Sequence, residues 1–336
     1  MRVLVVNAGS SSLKLRLVGP DDTVERTADS LDGIRDWPAP DAVGHRVVHG
    51  GTRFTDPVVV DHDVRRALDE LTALAPLHQP KSLDGLDAVS GQFPDVPAVA
   101  CFDTAFHTTI PEAAATYAVP AHWRERYAIR RYGFHGLSHA WCSRQVAART
   151  GARRIVTAHL GAGASLCAVL DGRSVDTTMG FTPLEGLVMA TRSGSVDPGL
   201  VLWLEEHEGL SPHEVAETLE KRSGLLALAG TADLREIGPD SLAMAVYVHR
   251  IAAGIAAMAA STGGLEALAF TGGVGENSTV VRTMVAARLA FLGVAVAEGA
   301  EGEITAPGAT VRTLVVPARE DLEIARGVRT ALGRAS

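Results

Sequence analysis

A strand–turn–strand pattern occurs twice in this chain, about 150 residues apart, and it constrains the fold more than any other feature. The apolar residues 3–6 lead into NAGSSSLK (residues 7–14), after which apolar and polar residues alternate. Residues 155–166 (IVTAHLGAGASL) again run from an apolar segment through a glycine turn into a second strand. This repeat predicts two domains of similar fold, with a boundary near residue 150.

The first turn places three serine hydroxyls, backbone amides and the Lys14 ammonium group at one hairpin tip. Gly9 can adopt backbone angles that other residues avoid, which helps such a tip to curl around an anion. These groups suit an oxyanion with several oxygens, phosphate above all. The alternative is an ordinary hairpin with a polar turn, because short motifs of this kind also occur without a ligand.

Composition narrows the classes of function. The 336 residues are 46% hydrophobic, enough for two sizeable cores, and the net charge of −8 argues against a general nucleic-acid-binding protein. Cys101, Cys142 and Cys167 lie in apolar segments without metal-type spacing, which predicts buried free thiols. The N-terminus does not resemble a signal peptide, and a His-Arg pair interrupts the most apolar helical stretch, residues 242–260. We therefore expect a cytoplasmic protein without a membrane partner.

Three residues that can carry chemistry stand in unusual places in the first half of the chain. Arg46 lies inside the apolar strand 42–51, Asp103 follows the apolar strand 96–102, and His135 stands in RRYGFHG before a helix. Open α/β sheets place their chemistry at such strand ends. The alternatives are a surface-reaching head group or structural ion pair for Arg46, a helix N-cap for Asp103 and a structural role for His135.

The second half adds cations, glycines and an acid. Arg192 lies in the Gly/Ser/Thr-rich segment 176–198, and a strand at 268–270 runs into glycines at 272–275, which let a ligand approach the backbone. The alternatives are a solvated loop arginine for Arg192, and favourable helix-dipole placement for Glu320 at the start of the last helix.

Periodicity predicts helices over residues 61–74, 83–92, 138–150, 200–208, 212–221 and 242–260 (the last one buried), a loop over 223–235, and a final helix from residue 319.

Together these pieces favour phosphoryl transfer, which depends largely on positioning and on neutralising the charge of the phosphate oxygens. The chain has neither the Walker A pattern nor the loops of protein kinases. It also lacks a zinc signature and the G-x-S-x-G motif of serine hydrolases.

Longer sequence blocks point to a family. In chain order they are VLVVNAGSSSLKLRL, GHRVVHGG, LAPLHQP, AVACFDTAFHTTIP, IRRYGFHGLSHA, HLGAGASL, SVDTTMGFTPLEGLVMATRSGSVDPG, FTGGVGENS and VPAREDLEIAR, from residue 2 to about 327. In these blocks, and in their order, the chain resembles the acetate kinase family of short-chain carboxylate kinases. The long block at 176–199 and RRYGFHG are the most specific of them.

The resemblance implies an α/β fold of two actin/hexokinase-like (ribonuclease H-like) domains, each a mixed sheet flanked by helices, with a cleft between them. The N-terminal domain would span residues 1–150, with a C-terminal helix at about 319–334 packing back on it, and the nucleotide-binding domain would span 151–318. The resemblance also implies a homodimer that reversibly transfers a phosphoryl group from ATP to acetate. The products would be acetyl phosphate and ADP, formed by direct in-line transfer with Mg²⁺, or alternatively Mn²⁺.

The resemblance further implies a role for individual residues. The catalytic residues would be Arg46, Asp103, His135 and Arg192. The acetate site would be formed by Arg46, Val48, Leu77, Phe134 and Pro183. The nucleotide and its phosphates would be held by Ser10, Ser12, Lys14, His159, Gly161, Gly163, Asp233, Leu234, Arg235, Gly273, Val274, Gly275, Glu276 and Asn277. The metal ion would be held by Asn7 and Glu320, with Asp103 also holding or orienting it.

Three departures from the family pattern concern length and phosphate binding. The family usually has Asn where this chain has Ala162, and the missing amide would remove roughly 1.5–3 kcal/mol of phosphate binding. The connection after the first hairpin and the segment between Arg235 and Leu242 are shorter than usual. We therefore expect a compact, active member of the family.

Two alternatives stay open at this point. The chain could phosphorylate propionate or butyrate, or use a donor other than ATP, because one methylene in an apolar pocket is worth only about 1–3 kcal/mol. It could also be a nucleotide-binding protein without turnover. The sequence does not give the acid, the donor or the physiological direction.

Overall fold

The computed structural model describes residues 1–8, 13–75, 79–297 and 302–334. Ser10, Ser12 and Leu77, three of the predicted site residues, lie outside the described residues. The strands are β1 (Val3–Ala8), β2 (Leu13–Val18), β3 (Val24–Ala28), β4 (Ala42–Val47), β5 (Val58–Val59), β6 (Ala98–Phe102), β7 (Arg154–Leu160), β8 (Ala164–Leu170), β9 (Arg173–Thr177), β10 (Ala267–Thr271) and β11 (Arg312–Val315).

Helices connect and cover these strands. They are α1 (His62–Glu70), α2 (Gln79–Gln92), α3 (Glu112–Ala115), α4 (Ala121–Tyr127), α5 (Gly136–Thr150), α6 (Pro198–His207), α7 (Pro212–Lys221), α8 (Gly224–Ala229), α9 (Leu242–Ser261), α10 (Gly272–Asn277), α11 (Thr279–Arg288) and α12 (Glu320–Arg334). Short 3₁₀ turns lie at Asp32–Ile34, Leu71–Leu74, Ala105–Thr109, Leu234–Glu236 and Ala290–Leu292.

The chain divides into two compact units. The first consists of Met1–Thr108, Phe134–Trp141 and Arg319–Ser336, and the second of Thr109–Gly133 and Cys142–Ala318. Residues 109–133 and 142–150 thus group with the second unit. The domain boundary near residue 150 stays a prediction, because compactness does not show where an independently folding domain ends.

Each unit contains a mixed sheet. Five strands follow the same order in both sheets, and β5 is a sixth strand at the end of the first sheet. The order is β3-β2-β1-β4-β6-β5 in the first unit and β9-β8-β7-β10-β11 in the second. In both, the first three strands are antiparallel neighbours, and the next two run parallel to the first. The repeated hairpin therefore begins the same topology twice, and the predicted ribonuclease H-like α/β fold class is confirmed.

Helix α12 covers one face of the first sheet, although it comes last in the chain. Ile324, Ala325 and Val328 pack with Val3 and Val5 in one buried cluster. The contact is close at Gly44 of β4, where a Cβ atom would lie 2.6 Å from Cγ2 of Ile324. The opposite face of the sheet packs against α1 and α2, in clusters that contain Leu68 of α1 and Leu83 of α2. These two layers fix where the polar ends of β1, β4 and β6 lie.

In the second unit the long helix α9 packs on the sheet. At Gly254 of α9 a Cβ atom would lie 2.7 Å from Cδ1 of Leu166 in β8. By length and composition alone α9 could cross a membrane, but half of its most apolar stretch of 18 residues is buried in the protein. The prediction of a buried helix is confirmed for nine residues of α9 and is wrong at its start, where Leu242 is 73% exposed.

The predicted loop over 223–235 is wrong in part, since it contains α8 and a 3₁₀ turn. Gly224 begins α8 with a φ of +64°, and the Leu225 amide donates to the carbonyl of Met189. The signal in the sequence, a short Leu/Ala run between two glycines, is too brief to separate a helix from an apolar loop. The start of α8 is instead defined by backbone bonds to the segment 189–191.

Candidate active site

The carboxyl ends of β4 and β6 bring Arg46 and Asp103 together. The two strands are parallel neighbours in the sheet, and Asp103 directly follows β6. Nε of Arg46 donates to both carboxylate oxygens of Asp103 at 3.1 Å, and Nη2 donates to Oδ2 at 2.5 Å. Of the alternatives for Arg46, the ion pair is confirmed, and only 18% of its side chain is exposed.

A row of hydrogen bonds extends this ion pair to the start of α12. Nη1 of Arg46 donates to Oδ1 of Asn7 at 3.1 Å, and Nδ2 of Asn7 donates to Oε2 of Glu320 at 3.1 Å. Four predicted site residues, Asn7, Arg46, Asp103 and Glu320, therefore lie together. Lys14 of β2 pairs with Asn7 across the first hairpin. We call the four hydrogen-bonded residues the Arg46 row.

Burial and charge act in opposite directions on the ion pair. Burial favours a neutral guanidinium, but Asp103 and Glu320 together raise the pKa of Arg46 above its usual value. Burial raises the pKa of Asp103, Arg46 counteracts this, and Glu320 adds to the rise. The Arg46 charge therefore favours the ionised form of Asp103 against the effect of burial.

Phe134 and His135 lie at the left-handed turn that starts α5. His135 has a φ of +57°, which is rare outside glycine, and its carbonyl accepts from the His139 amide at 2.9 Å. The next residue must be glycine, because a Cβ atom on Gly136 would lie 2.2 Å from the Asp103 carbonyl oxygen. The same turn thereby contacts the segment that carries Asp103. Phe134 is buried.

Two buried histidines and a glutamine support this turn, and none of them was predicted as a site residue. Nε2 of His107 donates to the Phe134 carbonyl at 3.0 Å, and the His49 ring meets the Phe134 ring edge-on. Gln79 binds the His49 amide and carbonyl at 3.1 Å. Burial lowers the pKa of His49 and of His107 to about 4, so both are neutral at pH 7. The signal that could have found them is their place in HGG, HQP and FHT, beside the predicted site residues.

In the second unit the second hairpin meets the glycine-rich helix α10. A Cβ atom on Gly161 would lie 3.9 Å from the Gly273 amide nitrogen. Gly272 has a φ of +78°, and its Cβ would lie 2.8 Å from the Leu160 carbonyl oxygen. His159 ends β7 beside Thr271 of β10. Gly272 therefore has to be glycine for these two backbones to come so close, whereas a Cβ atom at Gly161 would make ordinary van der Waals contacts.

Helix α10 is tied down by its own side chains and by α11. Nδ2 of Asn277 donates to the Gly273 carbonyl at 2.8 Å, and Oε1 of Glu276 accepts from the Ala318 amide at 2.9 Å. Nη1 of Arg282 donates to the carbonyls of Gly275 and Glu276. Glu276 and Asn277 therefore hold the helix in shape, whatever else they contact.

The segment 233–235 forms a local motif of its own. Asp233 caps a 3₁₀ turn by accepting from the Arg235 amide at 3.0 Å, and Arg235 also binds its carboxylate. Hydrogen bonds from the Arg235 side chain and amide lower the pKa of Asp233 to about 2. Within the described residues, no hydrogen bond or ion pair joins 233–235 to α10.

Arg192 and Pro183 lie together in the second unit. Nη1 of Arg192 donates to the Pro183 carbonyl at 3.3 Å and contacts Sδ of Met189 at 3.8 Å. The alternative of a solvated loop arginine is wrong, because Arg192 is half-buried and burial lowers its pKa.

Known proteins are similar to this chain in sequence and in fold. The profile of the acetokinase family matches residues 35–326. The acetate kinase of Thermotoga maritima is 42% identical over 395 aligned positions, which cover 98% of this chain and 98% of the relative. The chain belongs to the acetokinase family. It is therefore a kinase.

Solved structures agree with this membership. The crystal structure of Porphyromonas gingivalis acetate kinase has a TM-score of 0.90 and 36% identity, covering 98% of this chain and 99% of that chain. A propionate kinase from Francisella tularensis has a TM-score of 0.90 and 34% identity, covering 97% of this chain and 98% of that chain. The alignment with the Thermotoga relative is longer than this acetokinase chain of 336 residues, as expected for a compact member.

The Arg46 row fits a divalent cation of the kind that acetokinases use. Asp103, Glu320 and Asn7 supply two carboxylates and an amide oxygen, which are hard donors suited to Mg²⁺. No group of three or more His, Cys, Asp or Glu side chains that could hold a metal exists in the part of the chain that the structure describes.

Proposed function

We propose that this acetokinase-family protein reversibly transfers a phosphoryl group from ATP to acetate, giving acetyl phosphate and ADP. In the transfer an acetate oxygen forms a bond to the γ-phosphorus as the bond between that phosphorus and the β–γ bridging oxygen breaks. No proton has to move, and no covalent enzyme intermediate is needed. The observation that carries the proposal is the Arg46 row, a half-buried cation that is paired with Asp103 and linked through Asn7 to Glu320.

Each residue of the row has a distinct task in this proposal. The Arg46 guanidinium binds an anionic oxygen of acetate or of the phosphoryl group in flight, and Asp103 keeps the guanidinium charged and fixed. Asn7, Asp103 and Glu320 would hold Mg²⁺, or Mn²⁺ in its place, which neutralises phosphate charge when bound. His135 would hydrogen-bond the transferring group, and Arg192 would bind the same group or the acid.

The acid pocket and the nucleotide site are proposed from the resemblance to the family. Val48, Leu77, Phe134 and Pro183 would surround the methyl group of acetate. Lys14, the two hairpin tips and α10 would hold the phosphates and the nucleoside, together with 233–235. The propionate kinase among the similar structures favours a second candidate acid, since one methylene changes binding by only about 1–3 kcal/mol.

The direct test is turnover of purified protein with MgATP and acetate, with acetyl phosphate trapped by hydroxylamine as the hydroxamate. We expect hydroxamate to form, and kcat/KM to be higher for acetate than for propionate or butyrate. Absence of hydroxamate with ATP would contradict the proposal. Hydroxamate formed only with pyrophosphate or another nucleotide would overturn the choice of donor and leave acid phosphorylation intact.

Restoring the missing amide should strengthen nucleotide binding. Ala162 is exposed at the tip of the second hairpin, and only its carbonyl is engaged, by the Ala190 amide at 3.1 Å. An Ala162→Asn variant is expected to lower KM for ATP by about tenfold or more, because a hydrogen bond to a charged phosphate is worth roughly 1.5–3 kcal/mol. Ala128→Asn is the control, as it adds an amide at an exposed left-handed position of the same unit. An unchanged KM in Ala162→Asn would contradict the prediction.

We propose a homodimer in which α6 supplies contact surface. No residue of this apolar helix is buried, and Leu200 and Trp203, one turn apart, are each 46% exposed. Trp203→Glu is expected to weaken self-association by at least about tenfold, because large aromatic side chains dominate interface energies. Light scattering after size-exclusion chromatography measures this. Tyr127→Glu, which alters an exposed aromatic of α4, should leave the mass unchanged, and a dimer that survives Trp203→Glu would disprove the role of α6.

We further propose that the protein works in the cytoplasm, on small anions rather than on nucleic acid or membranes. The net charge of −8 supports this, since nucleic acid and anionic lipid surfaces attract basic proteins.

A protein of the same family without turnover is the remaining alternative. For such a protein Arg192→Ala would leave nucleotide affinity and function untouched, whereas for a kinase it should collapse kcat.

A further inference from the structure

Three side chains of the second unit form a connected cluster that the proposed reaction does not use. Nη2 of Arg131 donates to Oε1 of Glu185 at 2.8 Å, and its guanidinium lies 5.6 Å from the centre of the Tyr117 ring. The Tyr117 hydroxyl donates to Oε2 of Glu185. Both carboxylate oxygens of Glu185 are therefore engaged. We call Tyr117, Arg131 and Glu185 the Arg131 clamp.

The clamp also holds the backbone on either side of it. Nη1 of Arg131 donates to the carbonyls of Thr178 and Met179 at 3.2 and 3.1 Å. The Tyr117 hydroxyl accepts from the Phe181 amide at 3.0 Å. Gly180 lies within the clamp, and a Cβ atom there would lie 2.1 Å from the Tyr117 hydroxyl. Residues 178–181 are thus fixed by side chains that come from outside this segment.

Two further contacts connect the clamp to Arg192. Glu185 stands two residues after Pro183, whose carbonyl accepts from the Arg192 guanidinium. The next residue, Gly186, closes the loop: its carbonyl accepts from the Ser195 amide at 3.0 Å, and its amide donates to the Ser195 hydroxyl at 3.1 Å. A displacement of Glu185 would therefore move both the carbonyl that orients Arg192 and the base of the loop that carries it.

We infer that Arg131 is a positioning residue for phosphoryl transfer, acting through Glu185 and the carbonyls of 178–179 to hold Arg192 in its productive orientation. The inference rests on the proposed function. In the proposed reaction Arg131 does not contact the substrate. A cation that pairs with a half-buried carboxylate and also binds two carbonyls suits this role, because a guanidinium has several donors in a fixed plane. Lysine carries its three N–H donors on a single nitrogen, so it cannot reproduce bonds that start from both Nη1 and Nη2.

A double-mutant cycle between Arg131 and Arg192 tests the inference. Arg131→Ala should lower kcat by up to about 100-fold, the cost of a displacement near 1 Å, while KM for ATP changes by less than about twofold. In an Arg192→Ala background, measured at raised enzyme concentration, Arg131→Ala should lower kcat by less than about threefold, since the residue that it positions is gone. Arg131→Lys should restore only part of the loss.

The controls separate this outcome from loss of folding and from failure of the proposed function. Arg312→Ala breaks a similar Arg–Glu pair on the surface of the same unit and should leave kcat unchanged. If Arg131→Ala does not fold, Glu185→Gln and Tyr117→Phe take its place in the cycle, with the same non-additivity expected. An equal loss in both backgrounds, or no loss in either, overturns the inference. A wild-type protein that forms no hydroxamate overturns the proposed function instead.

Discussion

Replacing Arg46 with alanine is expected to lower kcat for acetyl phosphate formation by about 10³-fold or more, the range that a single arginine contributes in phosphoryl transfer. In the proposed reaction the variant loses the cation that binds the transferring group, and it also releases Asn7, whose Oδ1 is held by Nη1 of Arg46. Coupled-enzyme or hydroxamate kinetics measure the loss. Arg46→Lys keeps the charge without the paired bonds to Asp103, so we expect it to recover only a small part of the rate.

The same substitution should also reduce stability, because it leaves the buried Asp103 carboxylate without its partner. Removing one member of a buried ion pair costs about 3–5 kcal/mol of unfolding free energy. Adding Asp103→Ala to Arg46→Ala should recover part of this stability and none of the activity. If the single Arg46→Ala variant is as stable as wild type and retains its kcat, the proposed role of the row is wrong. Urea unfolding with parallel kinetics decides this.

Acid is expected to destabilise the first unit through His45, and a His45→Leu variant should be protected. Among the residues that the structure describes, neither ring nitrogen of His45 has a hydrogen-bond partner, and the residue is 1% exposed. Burial lowers the pKa of His45 to about 3, an effect that Asp87 counteracts only weakly. An unfolded chain has a histidine pKa near 6.5. As the pH falls below about 6.5 the unfolded state therefore binds a proton that the folded state refuses, and stability is lost until about pH 3.

Between pH 7 and pH 5 this one group should cost about 2 kcal/mol, at about 1.4 kcal/mol per pH unit below its unfolded pKa. The measurement is the difference in unfolding free energy between wild type and His45→Leu at each pH, which cancels the other titrating groups. We expect the variant to gain about 2 kcal/mol relative to wild type over this interval. His62→Gln, at a side chain that is 89% exposed, should show no such change. A difference independent of pH would show that His45 does not resist protonation.

Much of the fold could be predicted because its signals are local. The alternation at 3–18 and 155–166 predicted the two hairpins, and the apolar runs at 96–102 and 268–270 predicted strands that the structure has as β6 and β10. Errors arose where a sequence pattern was too short to identify an element, or where contacts with other segments determine the residue at which an element begins or ends. The helix predicted over 83–92 begins at Gln79, whose buried amide binds His49, a contact that periodicity does not record.

The candidate site could be predicted only as separate residues. Arg46 was recognised because a cation in an apolar strand is costly, and Asp103 because it ends a buried strand. Their pairing follows from β4 and β6 being neighbours, which the sequence does not state. Arg131 and Tyr117 received no role, because an arginine before a turn and a lone tyrosine carry no signal until Glu185 is found beside them.

The sequence by itself determined the repeated hairpins, the apolar strands and the family, because each depends on residues that are close in the chain or on long matching blocks. The tertiary structure decided which charges meet. Asn7 and Glu320 are 313 residues apart in sequence, yet they share a hydrogen bond, because α12 packs back across β1 and β4. No local propensity encodes that contact. It exists because burying the apolar face of the last helix against the first sheet also brings its first acidic residue to the end of β1.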